Sequence, residues 1–103
     1  MKTKLYQSRI DLSAEIREKV ISILNITLAT TIDLKTQTKQ AHWNVKGRNF
    51  ISLHELFDEM AGELEEYIDI IAERVTALAG VAYGTARIAS NISVLDVYYK
   101  KIN

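Results

Sequence analysis

Residues 39–60 read KQAHWNVKGRNFISLHELFDEM and contain both histidines of a 103-residue chain. His42 stands before Gly47 and His54 after it, with Asp58 four residues beyond the second imidazole. The glycine is the hinge of the reading. Upstream, nothing breaks a helix between an N-cap at Ser13, with Glu15 in its first turn, and about Lys46. Gly47 suits the left-handed residue that closes such a helix, and Asn49 suits the cap of the next. A second helix then runs from about Phe50 to Leu78, stopped by Gly80. With no proline in the chain and only four glycines, long helices are the natural product. A short link between two long helices folds them into an antiparallel hairpin.

The apolar pattern places each helix against more than one neighbour. In the first, Ile16, Val20, Ile23, Leu34, Ala41 and Val45 share a face at helical spacing. Thr27 interrupts that face, and its hydroxyl can bond back to the carbonyl of Ile23. A second stripe, Ile21, Leu28 and Ile32, lies roughly 140° around the helix, so two sides require cover. The second helix shows Phe50, Leu53, Leu56, Phe57, Met60, Leu64, Tyr67, Ile68, Ile71, Val75 and Leu78 on one face. After it, Gly80 and Gly84 mark a loop, and Ser93 to Ile102 reads as a short helix with Leu95, Val97 and Tyr98 inward. The expectation is an all-α chain, a long antiparallel hairpin plus a short C-terminal helix. It has too many apolar faces to remain alone, and two hairpins closing a four-helix bundle is the simplest solution.

Composition narrows the chemistry. Thirteen basic residues balance thirteen acidic ones, so no global field draws nucleic acid or an anionic membrane. A nucleic-acid role has only Lys2 with Lys4 and Lys100 with Lys101 to rest on. The chain contains no cysteine, which removes disulfides, thiolate metal sites and cysteine nucleophiles. No apolar run has the length of a membrane span or a signal region. The location expected is cytoplasmic.

The chemistry-bearing residues fall in one sector of the second helix. With Phe50 at 0°, His54 falls at about 40°, Asp58 at 80°, Asp69 at 100°, Gly62 at 120° and Glu73 at 140°. His54/Asp58 and Asp69/Glu73 are pairs four residues apart, whose side chains meet on adjacent turns. Asp58 and Asp69 are separated by roughly 16 Å along the axis, too far for one ion. A second copy packed antiparallel about residues 62–65 brings residue 58 opposite 69 and residue 54 opposite 73, forming two equal sites. Gly62, costly inside a helix, would lie where the two helices approach. His42 reaches the same height as His54 across the hairpin. The reading is a metal site of His42, His54 and Asp58 from one chain with Asp69 and Glu73 from the other. Mixed nitrogen and oxygen donors suit a divalent first-row metal, Fe(II) among them, with zinc and manganese as alternatives. Taken singly, each of these residues reads as an ordinary packing histidine or solvated carboxylate; the joint placement carries the argument. Trp43 reads as an interface aromatic, and Lys39 and Arg74 as ion-pair partners.

At these residues the chain resembles the Dps family, the mini-ferritins named as DNA-binding proteins from starved cells. TKQAHWNVKGRNFISLHELFDEM is similar to that family's first ferroxidase segment, and DIIAERVTALAGVAYGT to its continuation, over about Leu28 to Ile88. The resemblance implies a ferritin-like fold, of which this sequence is half of a four-helix bundle: one domain over residues 1–103, ending inside the crossover after the second long helix. It implies an iron site on His42, His54 and Asp58 with Asp69 and Glu73 of a two-fold partner, lined by Lys39 and Trp43, Glu73 being a residue that can bridge two irons. It further implies Fe(II) oxidation, preferably by hydrogen peroxide, and ferric mineral held in a dodecameric shell as protection against oxidative stress. The competing reading is a catalytically defective fragment or non-catalytic assembly module that buries Ile21, Leu28 and Ile32 against a partner.

Overall fold

A computed structural model describes residues 5–7 and 10–97. Three helices follow in order: α1 (Ala14–Asn44), α2 (Phe50–Ala77) and α3 (Ala86–Ile92). α1 and α2 form the expected antiparallel hairpin, in a body measuring 54 × 22 × 17 Å. Ser13 caps α1, its side chain accepting from the amide of Ile16 at 3.2 Å. Gly47 adopts φ 104° in the connection, a conformation that penalises any residue with a Cβ. Asn49 sits at the cap position of α2, but its side chain makes no capping bond.

The far end of α2 differs from the expectation in an instructive way. The left-handed residue is Ala79, with φ 64°, rather than Gly80. Gly80 is used for proximity instead. A Cβ there would meet Ile21 Cδ1 at 2.8 Å and Cγ2 at 2.9 Å. Ile21 is wholly buried and forms the core with Val75 and Leu78; Leu5, Val20, Leu24 and Ala82 pack around it. Leu5 bridges to Gly80, and the Tyr6 amide donates to the Ala79 carbonyl at 2.7 Å.

Of the two apolar stripes on α1, the second is the more fully covered within the chain. Ile21 and Leu28 are buried within the chain, while Ile16, Ile23 and Leu34 are exposed. The reason is the tail. Residues 81–97 turn back along α1 and cover the Ile21/Leu28 side, with Gly84 lying against Ile32 Cδ1. The competing reading placed a partner on that stripe; the chain's own tail occupies it. On α2, Leu53, Phe57, Ala61, Leu64, Ile68 and Val75 turn inward, and Leu56, Met60 and Tyr67 of the expected face remain exposed.

Polar side chains of α1 hold the tail and the N-terminal segment. The buried Arg17 donates through Nη1 to the carbonyls of Tyr6 and Leu78, each at 3.1 Å. That places a cation at the C-terminal end of α2, where free carbonyls favour it. The buried Asn25 donates from Nδ2 to the Val81 carbonyl at 3.0 Å and accepts the Tyr83 amide on Oδ1 at 3.1 Å. Asp33 accepts the Ser93 hydroxyl at 2.6 Å and the Gln37 amide at 3.1 Å.

The short third helix was expected at Ser93–Ile102. It lies earlier, at Ala86–Ile92, with Thr85 capping it by accepting the Ile88 amide at 3.3 Å. The apolar residues after Ser93 are β-branched or isolated, and residues 93–97 are not helical. The rest of the expected helix, residues 98–102, and Lys2, Lys4, Lys100 and Lys101 lie outside the described residues.

Candidate metal centre

The hairpin brings three of the five expected ligands together: His42 from the last turn of α1, His54 from the second turn of α2 and Asp58 one turn further. The imidazoles stack, with centroids 3.7 Å apart and planes inclined by 23°. Each ring bonds to the other residue's backbone. Nδ1 of His54 donates to the His42 carbonyl at 2.7 Å, and Nδ1 of His42 donates to the His54 carbonyl. A carbonyl only accepts, so each Nδ1 carries the hydrogen. In the neutral ring this leaves Nε2 with a bare lone pair, the tautomer that ligates a metal through Nε2. Phe50 closes one side of the His54 ring at 5.2 Å between centroids.

His42 Nε2 faces Asp58 Oδ1 at 3.9 Å. The same oxygen accepts from Lys39 Nζ at 2.7 Å. One turn earlier, Lys35 Nζ contacts Glu65 at 2.6 Å, a second ion pair between the two helices. The Lys39 ammonium, by hydrogen bond and then by charge, holds the Asp58 carboxyl below the usual aspartate range. A depressed carboxylate contributes stability above its unfolded value, and that contribution is lost as pH falls through its lower folded value. An NMR titration of Asp58 should therefore show a midpoint below that of an unstructured aspartate. In Lys39→Met the midpoint should move upward; an unchanged midpoint would refute Lys39 as the cause.

Asp69 and Glu73 stand apart from this cluster. Both are exposed on the later turns of α2, and Glu73 lines a shallow groove with Ile70, Arg74 and Ala77. Among the described residues of one chain, no three His, Asp or Glu groups are arranged to hold a metal ion. Gly62, between the two clusters, has nothing within 4 Å of where a Cβ would stand. Nothing inside the chain requires a glycine there. Trp43, beside His42, is 68% exposed.

The hydrogen bonds from Lys39 and from the ring nitrogens were not all anticipated. Lys39 was expected to form an ion pair, but its partner Asp58 was not specified by the sequence. The reciprocal ring-to-carbonyl bonds carry no sequence signature, because they depend on backbone groups that every residue possesses.

The family model for a ferritin-like domain matches residues 21–102. The chain belongs to the ferritin-like family. Proteins named Dps, or DNA protection during starvation protein, are among the relatives it resembles. It is 44% identical over 95 residues to a DNA protection during starvation protein of Agrobacterium fabrum, covering 92% of this chain and 59% of that one. Among solved structures, DpsC from Streptomyces coelicolor superposes with a TM-score of 0.91 at 35% identity, over 97% of this chain and 58% of that one. An archaeal Dps homologue from Halobacterium salinarum gives 0.88 at 33% identity, over 97% and 56%. The chain thus spans about half the length of the relatives it matches. Its three helices are the ferritin-like half-bundle expected from the sequence, and no helix among the described residues is long and apolar enough to cross a membrane.

Proposed function

We propose that two copies of this chain pair α2 against α2, head to tail, and build two equal sites that bind and oxidise Fe(II). Each site takes His42, His54 and Asp58 from one protomer and the partner's Asp69 and the partner's Glu73. The observation that carries the reading is the reciprocal Nδ1 bonding at the hairpin tip, which leaves both Nε2 atoms as the free ring nitrogens, that of His42 being 3.9 Å from Asp58 Oδ1. Ring nitrogens with carboxylate oxygens suit Fe(II) as substrate. The open space at Gly62 is where the partner helix would approach most closely.

Electrostatics favours the same substrate. α2 holds eight carboxylates and one arginine, a field that concentrates cations at its surface. It also makes α2 a poor partner for itself without cations between the helices. Oxidation of two Fe(II) ions to Fe(III) transfers two electrons, one from each, to a hydrogen peroxide molecule, whose O–O bond breaks and which, with two protons from solvent, leaves as two waters. The protein's part is to hold two irons within reach of one oxidant, with the partner's Glu73 between them, and to keep the imidazoles fixed in the tautomer that binds. Iron sequestration within a larger homo-oligomer, a dodecamer as in the family, would then withdraw Fe(II) and peroxide together in the cytoplasm.

The test is trans-complementation. Asp58→Ala and Glu73→Ala should each reduce the rate of Fe(II) oxidation by peroxide on the order of a hundredfold. Refolded together, they should regain activity, because one of the two sites in a mixed pair takes Asp58 and Glu73 from the two unmutated positions. A mixture as inactive as its components, or single variants as active as the parent, would defeat the assignment. Size in solution bears on the competing reading: a small species inert to iron at every concentration is the outcome expected of a non-catalytic hairpin.

A further inference from the structure

A set of two histidines and one carboxylate is by itself enough to hold a first-row divalent ion. His42, His54 and Asp58 form such a set on one chain, yet they are not arranged to hold one. A lysine, Lys39, contacts the carboxylate of that set. Its Nζ lies 2.7 Å from Asp58 Oδ1, the very oxygen that His42 Nε2 faces at 3.9 Å. Two ligands of one tetrahedral or octahedral ion stand about 3.0–3.4 Å apart. The imidazole and carboxylate are therefore nearly at the span a shared ion requires, and an ammonium occupies the oxygen it would use.

The lysine is well placed to stay there. Its side chain extends from α1, one turn before His42, and Lys35 makes the parallel contact to Glu65 at 2.6 Å. The Lys39 and Asp58 side chains are 36% and 55% exposed, so the pair is weak enough to exchange.

We infer that Lys39 is a displaceable internal cation that keeps the half-site of an unpaired chain closed to divalent metal ions. This rests on the assignment of His42, His54 and Asp58 as ligands. A metal entering the half-site must evict the ammonium and then endure its charge nearby. The partner's carboxylates reverse that balance by adding negative charge, so metal is admitted where two chains meet and refused where one stands alone. Lys39 is a positioning residue in this scheme, since it acts through Asp58.

The test uses Co(II), whose visible absorption reports its ligands, titrated into dilute chain without iron or peroxide. The parent should bind weakly. Lys39→Met, which keeps the aliphatic stem and removes the charge, should bind tighter by about tenfold or more. Lys39→Arg should resemble the parent, and adding Asp58→Asn to Lys39→Met should abolish the gain. The inference is overturned if Lys39→Met binds within about twofold of the parent, if Lys39→Arg tightens binding equally, or if the gain survives Asp58→Asn. Failure of the ferroxidase reading would look different: no Fe(II) oxidation by the concentrated parent, with the Co(II) differences intact.

Discussion

Replacing Asn25 with alanine should lower the free energy of unfolding by about 2–3 kcal/mol. Asn25 is a buried amide in the middle of α1, and both ends of its side chain are engaged by the returning tail. One substitution removes two hydrogen bonds and strands the Val81 carbonyl and the Tyr83 amide in a part-buried setting. Unpaired backbone groups cost more than the bonds themselves contribute. Asn25→Asp sharpens the test. It keeps the acceptor for Tyr83 but sets a carboxylate oxygen against the Val81 carbonyl, so at neutral pH it should be at least as damaging as alanine. Urea denaturation of the three chains measures both effects. A change below about 0.5 kcal/mol for alanine, the range of ordinary surface substitutions, would show that the tail is held by apolar contacts alone.

Gly80→Ala should destabilise the chain by about 1–3 kcal/mol, the usual cost of overpacking. The cause is steric and not conformational, since the positive φ belongs to Ala79. The added methyl would press on three carbons of Ile21, which is fully buried. The cycle with Ile21→Ala isolates this cause. Ile21→Ala alone should cost about 2–5 kcal/mol; on that background Gly80→Ala should cost little, because the atoms it meets are gone. A strictly additive pair would place the cost elsewhere, in the backbone around residue 80.

The hairpin was legible because its signals are local. Ser13, Gly47 and Asn49 mark boundaries by their own chemistry, and the lack of proline leaves long helices unbroken between them. The Thr27 hydroxyl does bond to the Ile23 carbonyl, at 3.0 Å, an interaction that needs only one helix. The tail was misread because its order is imposed from outside. Arg17, Asn25 and Asp33 are polar residues on a helix, and periodicity assigns such residues to solvent. Here each holds chain that returns from more than 50 residues away, Arg17 and Asn25 by its backbone carbonyls and Asp33 by the Ser93 hydroxyl. The same blindness left open how the two apolar stripes of α1 are covered: spacing identifies a stripe, but which side the tail covers is a long-range fact. The site followed the same rule. His42, His54 and Asp58 converge as the wheel and the hairpin require, whereas Lys39 at Asp58 depends on how the two helices are registered.

That registration has a consequence at the hairpin tip. The two crossed ring-to-carbonyl bonds join residue 42 to residue 54 and residue 54 to residue 42, so they close only at one alignment of the rods. A slip of a single position slides one rod past the other by about 1.5 Å and opens both clasps at once. The Val45–Asn49 link is therefore a spacer of set length. If the proposed centre is correct, adding or removing one amino acid there should weaken its metal binding even with every donor atom still in the chain.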